Sequence, residues 1–179
     1  MSFQIIAWGI TGAGHFLNRS YQVFKELKRR NPELSVNTYI SRAAEEVLRM
    51  YGLEQKLVKI SGGDYLEEIF RETEQGSSSP KVGRFLLDRY DALFVTPATS
   101  NTVSKIAYGI ADSLVTNAVA QAVKGRSRSI SFLWILKARS YLKCPTILTG
   151  NNAGTVKPAP RGKTALTAQS LKKTASQTR

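Results

Sequence analysis

The sequence predicts an α/β fold in which a parallel sheet is sandwiched between two layers of helices. Three observations predict it. Short apolar runs alternate with segments of helical spacing from residue 4 to residue 123. A glycine-rich turn joins the first run to the first helical segment, and a Ser/Thr-rich turn repeats that arrangement after residue 95. No internal repeat is visible.

Gln4 to Ile10 (QIIAWGI) reads as a first strand, ended by Thr11-Gly12-Ala13-Gly14. In the segment that follows, Phe16, Leu17, Tyr21, Phe24 and Leu27 recur at intervals of three and four, which gives a helix one apolar stripe. Lys25, Lys28, Arg29 and Arg30 crowd its C-terminal end, where cations suit the helix dipole, and Asn31-Pro32 stops it. Leu34 to Ile40 reads as a second strand and Arg42 to Tyr51 as a second helix, ending at Gly52. Residues 53–82 carry a short strand at Lys56 to Ile60, a helix around Tyr65 to Glu74, and a loop at Gln75 to Pro80 that is expected to be mobile. Tyr90 to Val95 is the best strand after the first. Thr96 to Val123 is helical with an interruption near Gly109 to Asp112.

Charge divides the chain in two. The net charge is +13, yet residues 1–123 hold 14 Lys and Arg against all 13 Asp and Glu, and residues 124–179 hold the other 12 basic residues and no acid. The expected organisation is a domain over residues 1–124 followed by a basic extension, partly disordered, over 125–179. One cysteine, Cys144, excludes an intramolecular disulfide and a cysteine-built metal centre in the chain as written; the lone His15 leaves no His-rich metal site. No apolar window approaches the roughly 20 residues that cross a bilayer, and the N-terminus lacks the marks of a signal peptide, so a cytoplasmic protein is expected.

Three segments carry the candidate chemistry. Gly9-Ile10-Thr11-Gly12-Ala13-Gly14 follows a strand and opens a helix, where amide N–H groups and the helix dipole hold phosphate. Its spacing is G-x-x-G-x-G, and no acid closes the second strand to hold a dinucleotide ribose, so a mononucleotide fits better. Ser41, directly after the second strand, suits a helix N-cap or a hydroxyl donor to phosphate. Thr96-Pro97-Ala98-Thr99-Ser100-Asn101-Thr102 again lies between strand and helix. The C-terminal ends of parallel strands face one crevice, so the three segments are expected to converge there. Neutral donors of this kind suit a phosphate, ribityl hydroxyls and the polar edge of a flavin ring; no nucleophile with its base and no metal set stands out, and no catalytic side chain is assigned.

The stretch PATSNTVSKIAYGIADSLVTNAV, Pro97 to Val119, resembles the flavin-loop signature of the homo-oligomeric flavin-containing cysteine decarboxylase superfamily, which includes phosphopantothenoylcysteine decarboxylase, prenyl-flavin-type enzymes and archaeal flavoproteins. The family's opening G-x-[ST]-G turn is similar to Gly9-Ile10-Thr11-Gly12, and its serine after the second strand to Ser41, so the resemblance runs in order over about residues 3–123. It implies a Rossmann-like, flavodoxin-like three-layer sandwich that binds FMN through Gly9, Thr11, Gly12, Ala13, Gly14, Ser41, Thr99, Ser100, Asn101 and Thr102, with Asn117 near the ring. It also implies homo-oligomers built on trimers, with the flavin near a subunit interface. Decarboxylases of the family carry a histidine midway along the domain and a P-x-M-N-x-x-M-W clamp; neither is present. What remains resembles the archaeal flavoprotein branch, which implies electron transfer from a ferredoxin-type donor to an acceptor, or reduction of a pterin-like substrate. The alternative is a decarboxylase or prenyl-flavin-type enzyme on the same scaffold.

The remainder does not match this body. Such a sheet continues with another strand after the helix ending near Val123, yet residues 126–131 (RSRSIS) are basic and polar, and Phe132 to Leu136 is the apolar run expected to pair. A shifted reading frame from near Gly125 accounts for the break. If each codon is rebuilt from the last base of one codon and the first two of the next, Arg126 to Ile135 can read RVPVYFVPVD, a buried-strand sequence. Cysteine codons then become possible across Asn152/Ala153, Thr155/Val156, Pro158/Ala159 and Thr164/Ala165, a spacing similar to that of ferredoxin clusters. The other reading is a genuine basic tail meeting anionic partners through Lys157, Arg161, Lys163, Lys172 and Lys173. No aromatic residue follows Tyr141, which argues against a base-stacking module for nucleic acid.

Overall fold

The computed structural model describes residues 4–125, 129–132 and 147–148. The first strand, β1 (Ile5–Ile10), is followed by α1 (Gly14–Arg30), β2 (Ser35–Ile40) and α2 (Arg42–Met50). A 3-10 turn at Gln55–Lys59 leads to β3 (Ile69–Arg71) and the short α3 (Glu72–Gln75); a second 3-10 turn at Pro80–Phe85 leads to β4 (Ala92–Val95). The helices α4 (Ser100–Ala107) and α5 (Leu114–Lys124) precede the strands β5 (Ser129–Phe132) and β6 (Ile147–Leu148). The sheet order is β3-β2-β1-β4-β5-β6, parallel from β3 through β5, with β6 antiparallel at the edge. This is the expected three-layer α/β sandwich.

Because side chains alternate across a strand, β1 feeds two cores at once. Ile6, Trp8 and Ile10 join Leu17, Phe24, Val36 and Leu48 on the α1/α2 side, whereas Ala7 joins Tyr39, Leu93, Val95, Val115 and Ala118 on the α5 side. Trp8 stacks on Phe24 with centroids 4.1 Å apart, and its Nε1 donates to the Thr96 carbonyl at 2.6 Å, so the one polar atom of this buried ring is satisfied. At Gly9 a Cβ would stand 3.1 Å from a methyl of Val115; the missing side chain lets α5 lie close on the strand. In the second core the Tyr39 and Tyr90 hydroxyls meet at 2.9 Å, and burial, reinforced by Tyr90, pushes the Tyr39 phenol well above its ordinary value.

Three expectations are corrected. Lys56 to Ile60 is part of a 3-10 turn rather than a strand: Leu57 and Ile60 are buried three apart while Lys56 and Lys59 face solvent, a period of three instead of two. The helix expected around Tyr65 to Glu74 is β3 followed by one turn of helix. The cause is Asn37, fully buried on β2. Its Nδ2 donates to the Leu66 carbonyl at 2.7 Å and its Oδ1 accepts from the Glu68 amide at 2.9 Å, so the side chain acts as extra pairing that draws residues 66–71 alongside β2. Finally, the added strand takes in Ser129–Phe132, paired in register with Ala92–Val95, so it begins inside the polar run and not at Phe132. Residues 133–136 lie outside the described residues, as do Cys144, the lysines and arginine assigned to a basic tail, and the positions of the shifted-frame cysteines.

The loop at Gln75–Pro80, expected to be mobile, is hydrogen-bonded to α5 and within itself. Asn117 Nδ2 donates to the Ser77 carbonyl at 2.9 Å, and the buried Ser79 donates to Gln75 Oε1 at 2.8 Å. Among the described residues no helix is long and apolar enough to cross a membrane.

Asn37→Leu keeps the volume but strands a carbonyl and an amide in the interior. A loss of about 2–4 kcal/mol is expected in urea unfolding, against less than about 1 kcal/mol for an exposed Asn18→Leu.

Candidate functional site

The site lies at the C-terminal rim of β1, β2 and β4, and its parts are joined by hydrogen bonds rather than by mere proximity. Thr11, just past β1, is 2% exposed. Its Oγ1 donates to the Pro97 carbonyl at 2.8 Å and accepts from the Thr99 amide at 2.9 Å, while its own amide reaches Pro97 O at 3.2 Å. One hydroxyl therefore couples the glycine turn to the loop after β4. Behind it, Ser20 and Thr96 hydroxyls meet at 2.9 Å, fixing α1 to the same loop, which carries a cis Thr96–Pro97 bond.

The second junction joins the glycine turn to α2. The Ser41 amide donates to the Ile10 carbonyl at 3.1 Å. A Cβ on Gly12 would stand 2.9 Å from Ala43 Cβ, and one on Gly14 would stand 2.9 Å from Val47 and 3.1 Å from Tyr51. Both glycines are thus required by the close approach of the turn and α1 to α2. Ser41 is buried and caps α2, accepting from the Ala44 amide at 3.3 Å; its hydroxyl proton has no acceptor among the described residues.

Four long helices begin at or beside this rim, and they are not equivalent. Ser41, Thr99 and Ser113 cap α2, α4 and α5 with side-chain oxygens, and Ser113 completes a capping box with Thr116. The longest, α1, starts from Ala13 with no side-chain cap. Among the described residues the amides of Gly12, His15, Ala43, Ser100 and Asn101 have no hydrogen-bond acceptor, whereas Ala13 and Gly14 amides are spent on the turn itself. Unspent donors at three helix starts along one rim, the start of α1 uncapped, make a ready site for an anionic or carbonyl-rich ligand.

The structure therefore brings together Gly9, Thr11, Gly12, Ala13, Gly14, Ser41 and Thr99 to Thr102, as expected, and divides their roles. Thr11 braces the loops. Thr99 and Thr102 engage each other, their hydroxyls 2.9 Å apart. Asn117 faces inward: its Nδ2 lies within hydrogen-bonding distance of the Ser77, Ala111 and Ser113 carbonyls, so it holds two loops against α5. Among the described residues no group of three or more His, Cys, Asp or Glu could hold a metal ion.

Residues 2–136 match the Flavoprotein family. The chain belongs to this family. Within the flavoprotein family it is 94% identical over 126 residues to a dihydromethanopterin reductase (acceptor) of Methanosarcina mazei, covering 70% of this chain and 53% of that protein. It is 55% identical over 125 residues to the protein of the same description from Methanocaldococcus jannaschii, covering 70% and 51%. This flavoprotein chain thus spans about half the length of the curated relatives it matches. Among solved structures it resembles Burkholderia xenovorans DmrB in complex with FMN, described as a cubic protein cage for redox transfer, at 35% identity and a TM-score of 0.59 over 72% of this chain and 64% of that one.

Thr11→Val removes the bridging hydroxyl while keeping the shape. A cost of about 1–3 kcal/mol is expected, together with faster hydrogen exchange at the Thr99 amide; Thr11→Ser recovers both. An unchanged exchange rate at Thr99 would show that the loops are held by something else.

Proposed function

We propose that the chain is an FMN-binding flavoprotein that works in electron transfer, its cofactor seated at the Thr11–Ser41–Thr99 rim. The observation that carries the reading is the set of unspent amides and the free Ser41 hydroxyl, contributed by three helix starts along one rim, of which that of α1 lacks a cap. Gly12, His15 and Ala43 amides with the Ser41 hydroxyl suit the phosphate, whose two negative charges favour a helix N-terminus. Ser100 and Asn101, with the hydroxyls of the α4 start, suit ribityl oxygens and the polar edge of the ring. The flavin supplies the redox chemistry, and the protein supplies anchoring and orientation.

Two relatives described as dihydromethanopterin reductase (acceptor) favour a reduced pterin as the product over a decarboxylated one. The missing histidine and clamp point the same way. A ferredoxin-type protein is the proposed electron donor. We also propose a homo-oligomer in the cytoplasm: α4 buries none of its residues within one protomer, and Tyr108 and Ile110 beside it are 84% and 48% exposed, a face next to the site that a second copy would cover.

For residues 125–179 we propose the shifted frame rather than a functional basic tail. It is supported by the confinement of all acids to residues 1–123 and by a 94% match that extends over 126 residues of the 179. The coding sequence decides it: a stop codon in the alternative frame between Gly125 and Thr164 ends the proposal.

The purified chain is expected to take up FMN, seen as a flavin absorbance band and identified by mass after release. Ser41→Ala should weaken FMN about tenfold, equivalent to about 1.4 kcal/mol, and leave riboflavin within about twofold. Gly12→Val should abolish binding of both by driving the turn off Ala43. Wild-type protein that stays colourless when incubated with excess FMN would sink the reading.

A further inference from the structure

At the far side of the rim from Thr11, two carboxylates clamp the start of α2 to the end of β3. Glu72, the first residue of α3, places Oε2 3.1 Å from the Leu114 amide and 3.3 Å from the Arg42 amide. Those are the first amides of α5 and of α2. In return Glu45, buried on α2, accepts from the Thr73 amide at 3.1 Å and from the Thr73 hydroxyl at 2.6 Å. Each short segment thus supplies an acceptor to the other's opening turn, and Glu72 adds α5 to the junction.

The arrangement is more than a surface ion pair. A carboxylate at a helix N-terminus is stabilised by amide donors and by the dipole, and here one carboxylate serves two helices at once. The opening turn of α2 carries Ser41 and Ala43, two of the donors assigned above to the phosphate. With Ser41 tied to Ile10 on one side and Arg42 tied to Glu72 on the other, the position of those donors is set from both ends. Glu72 also occupies the amide at Arg42, which leaves Ala43 as the open amide of that turn.

We propose that Glu72 is a positioning residue for the phosphate of the flavin nucleotide, acting through the opening turn of α2. The inference rests on the FMN reading. Glu72 touches amides and not the ligand, so its influence falls on the phosphate end and spares the ring end held by the loop after β4.

The test compares FMN with riboflavin, which lacks the phosphate, on the full chain by fluorescence quenching. In Glu72→Ala the dissociation constant for FMN is expected to rise about tenfold while that for riboflavin stays within about twofold, and Glu72→Gln, which keeps an acceptor oxygen, should recover most of the loss. Hydrogen exchange at the Arg42 and Leu114 amides should quicken in the alanine variant. A purely structural role would lower the melting temperature and weaken both flavins in parallel; that result, or unaltered preference for FMN in Glu72→Ala, overturns the proposal while leaving the FMN reading intact. Wild-type protein that binds neither flavin overturns both.

Discussion

The rim depends on one buried hydroxyl. β1 and β4 are neighbours in the sheet, and beyond their last paired residues, Gly9 and Val95, two backbone bonds, from the Thr96 amide to Gly9 O and from the Thr11 amide to Pro97 O, carry the chains on together. The Thr11 side chain extends that hold into the loop. Its Oγ1 donates to one residue of the β4 loop and accepts from another, so both the distance and the rotation of that loop relative to the glycine turn are set. A serine in the same place has the same oxygen but lacks the methyl that helps lock the rotamer; a valine has the methyl and lacks the oxygen. The residue is spent on architecture, which moves the burden of ligand recognition to the amides it holds in place.

The second junction is steric. Gly12 admits Ala43 in the opening turn of α2, and Gly14 admits Val47 and Tyr51 at its middle and end, at distances that a Cβ would violate, so the turn and the start of α1 lie along α2. The Gly12 contact sets the glycine turn, with its unspent amide, beside the opening turn of α2. The two mechanisms complement each other: side-chain hydrogen bonds fix the β4 side, and close contact together with the Ser41 amide bond to Ile10 fixes the α2 side. Neither side is held by a charged group pointing into the site. The nearby carboxylates of Glu72 and Glu45 are turned onto helix and turn amides.

Much of this was legible in the residues. The glycine turn, Ser41 and the Thr96 to Thr102 loop each sit where an apolar run gives way to a helical one, and the common direction of parallel strands places them at one rim. The role of Thr11 was not legible, since its partners lie 86 and 88 residues away and no local pattern announces them. Asn117 shows the same limit: the family resemblance implies a place near the ring, while only the fold shows it turned onto the Ser77 carbonyl. In residues 53–82 local preference competes with tertiary pairing. Asn37 decides that competition by lending side-chain hydrogen bonds to residues 66 and 68, so a segment of mixed propensity becomes a strand. Glu72 and Glu45 left no sequence signal, because a carboxylate that caps a helix from another segment looks like any surface acid.

The division of caps explains where an anion belongs. A helix start with a serine or threonine cap has already satisfied one of its exposed amides and gained less from a further acceptor than an open one would. α2, α4 and α5 are in that condition, and α2 and α5 also share the Glu72 carboxylate. α1 is not. It is the longest helix described and begins with alanine and glycine, residues that cannot cap by hydrogen-bonding side chains, directly beside a serine whose proton is free. Any evolutionary replacement of Ala13 by serine or aspartate would stabilise the empty helix at the expense of the site. An uncapped start kept beside three capped ones is a local cost to folding of about 1 kcal/mol, which the phosphate of the proposed cofactor would offset.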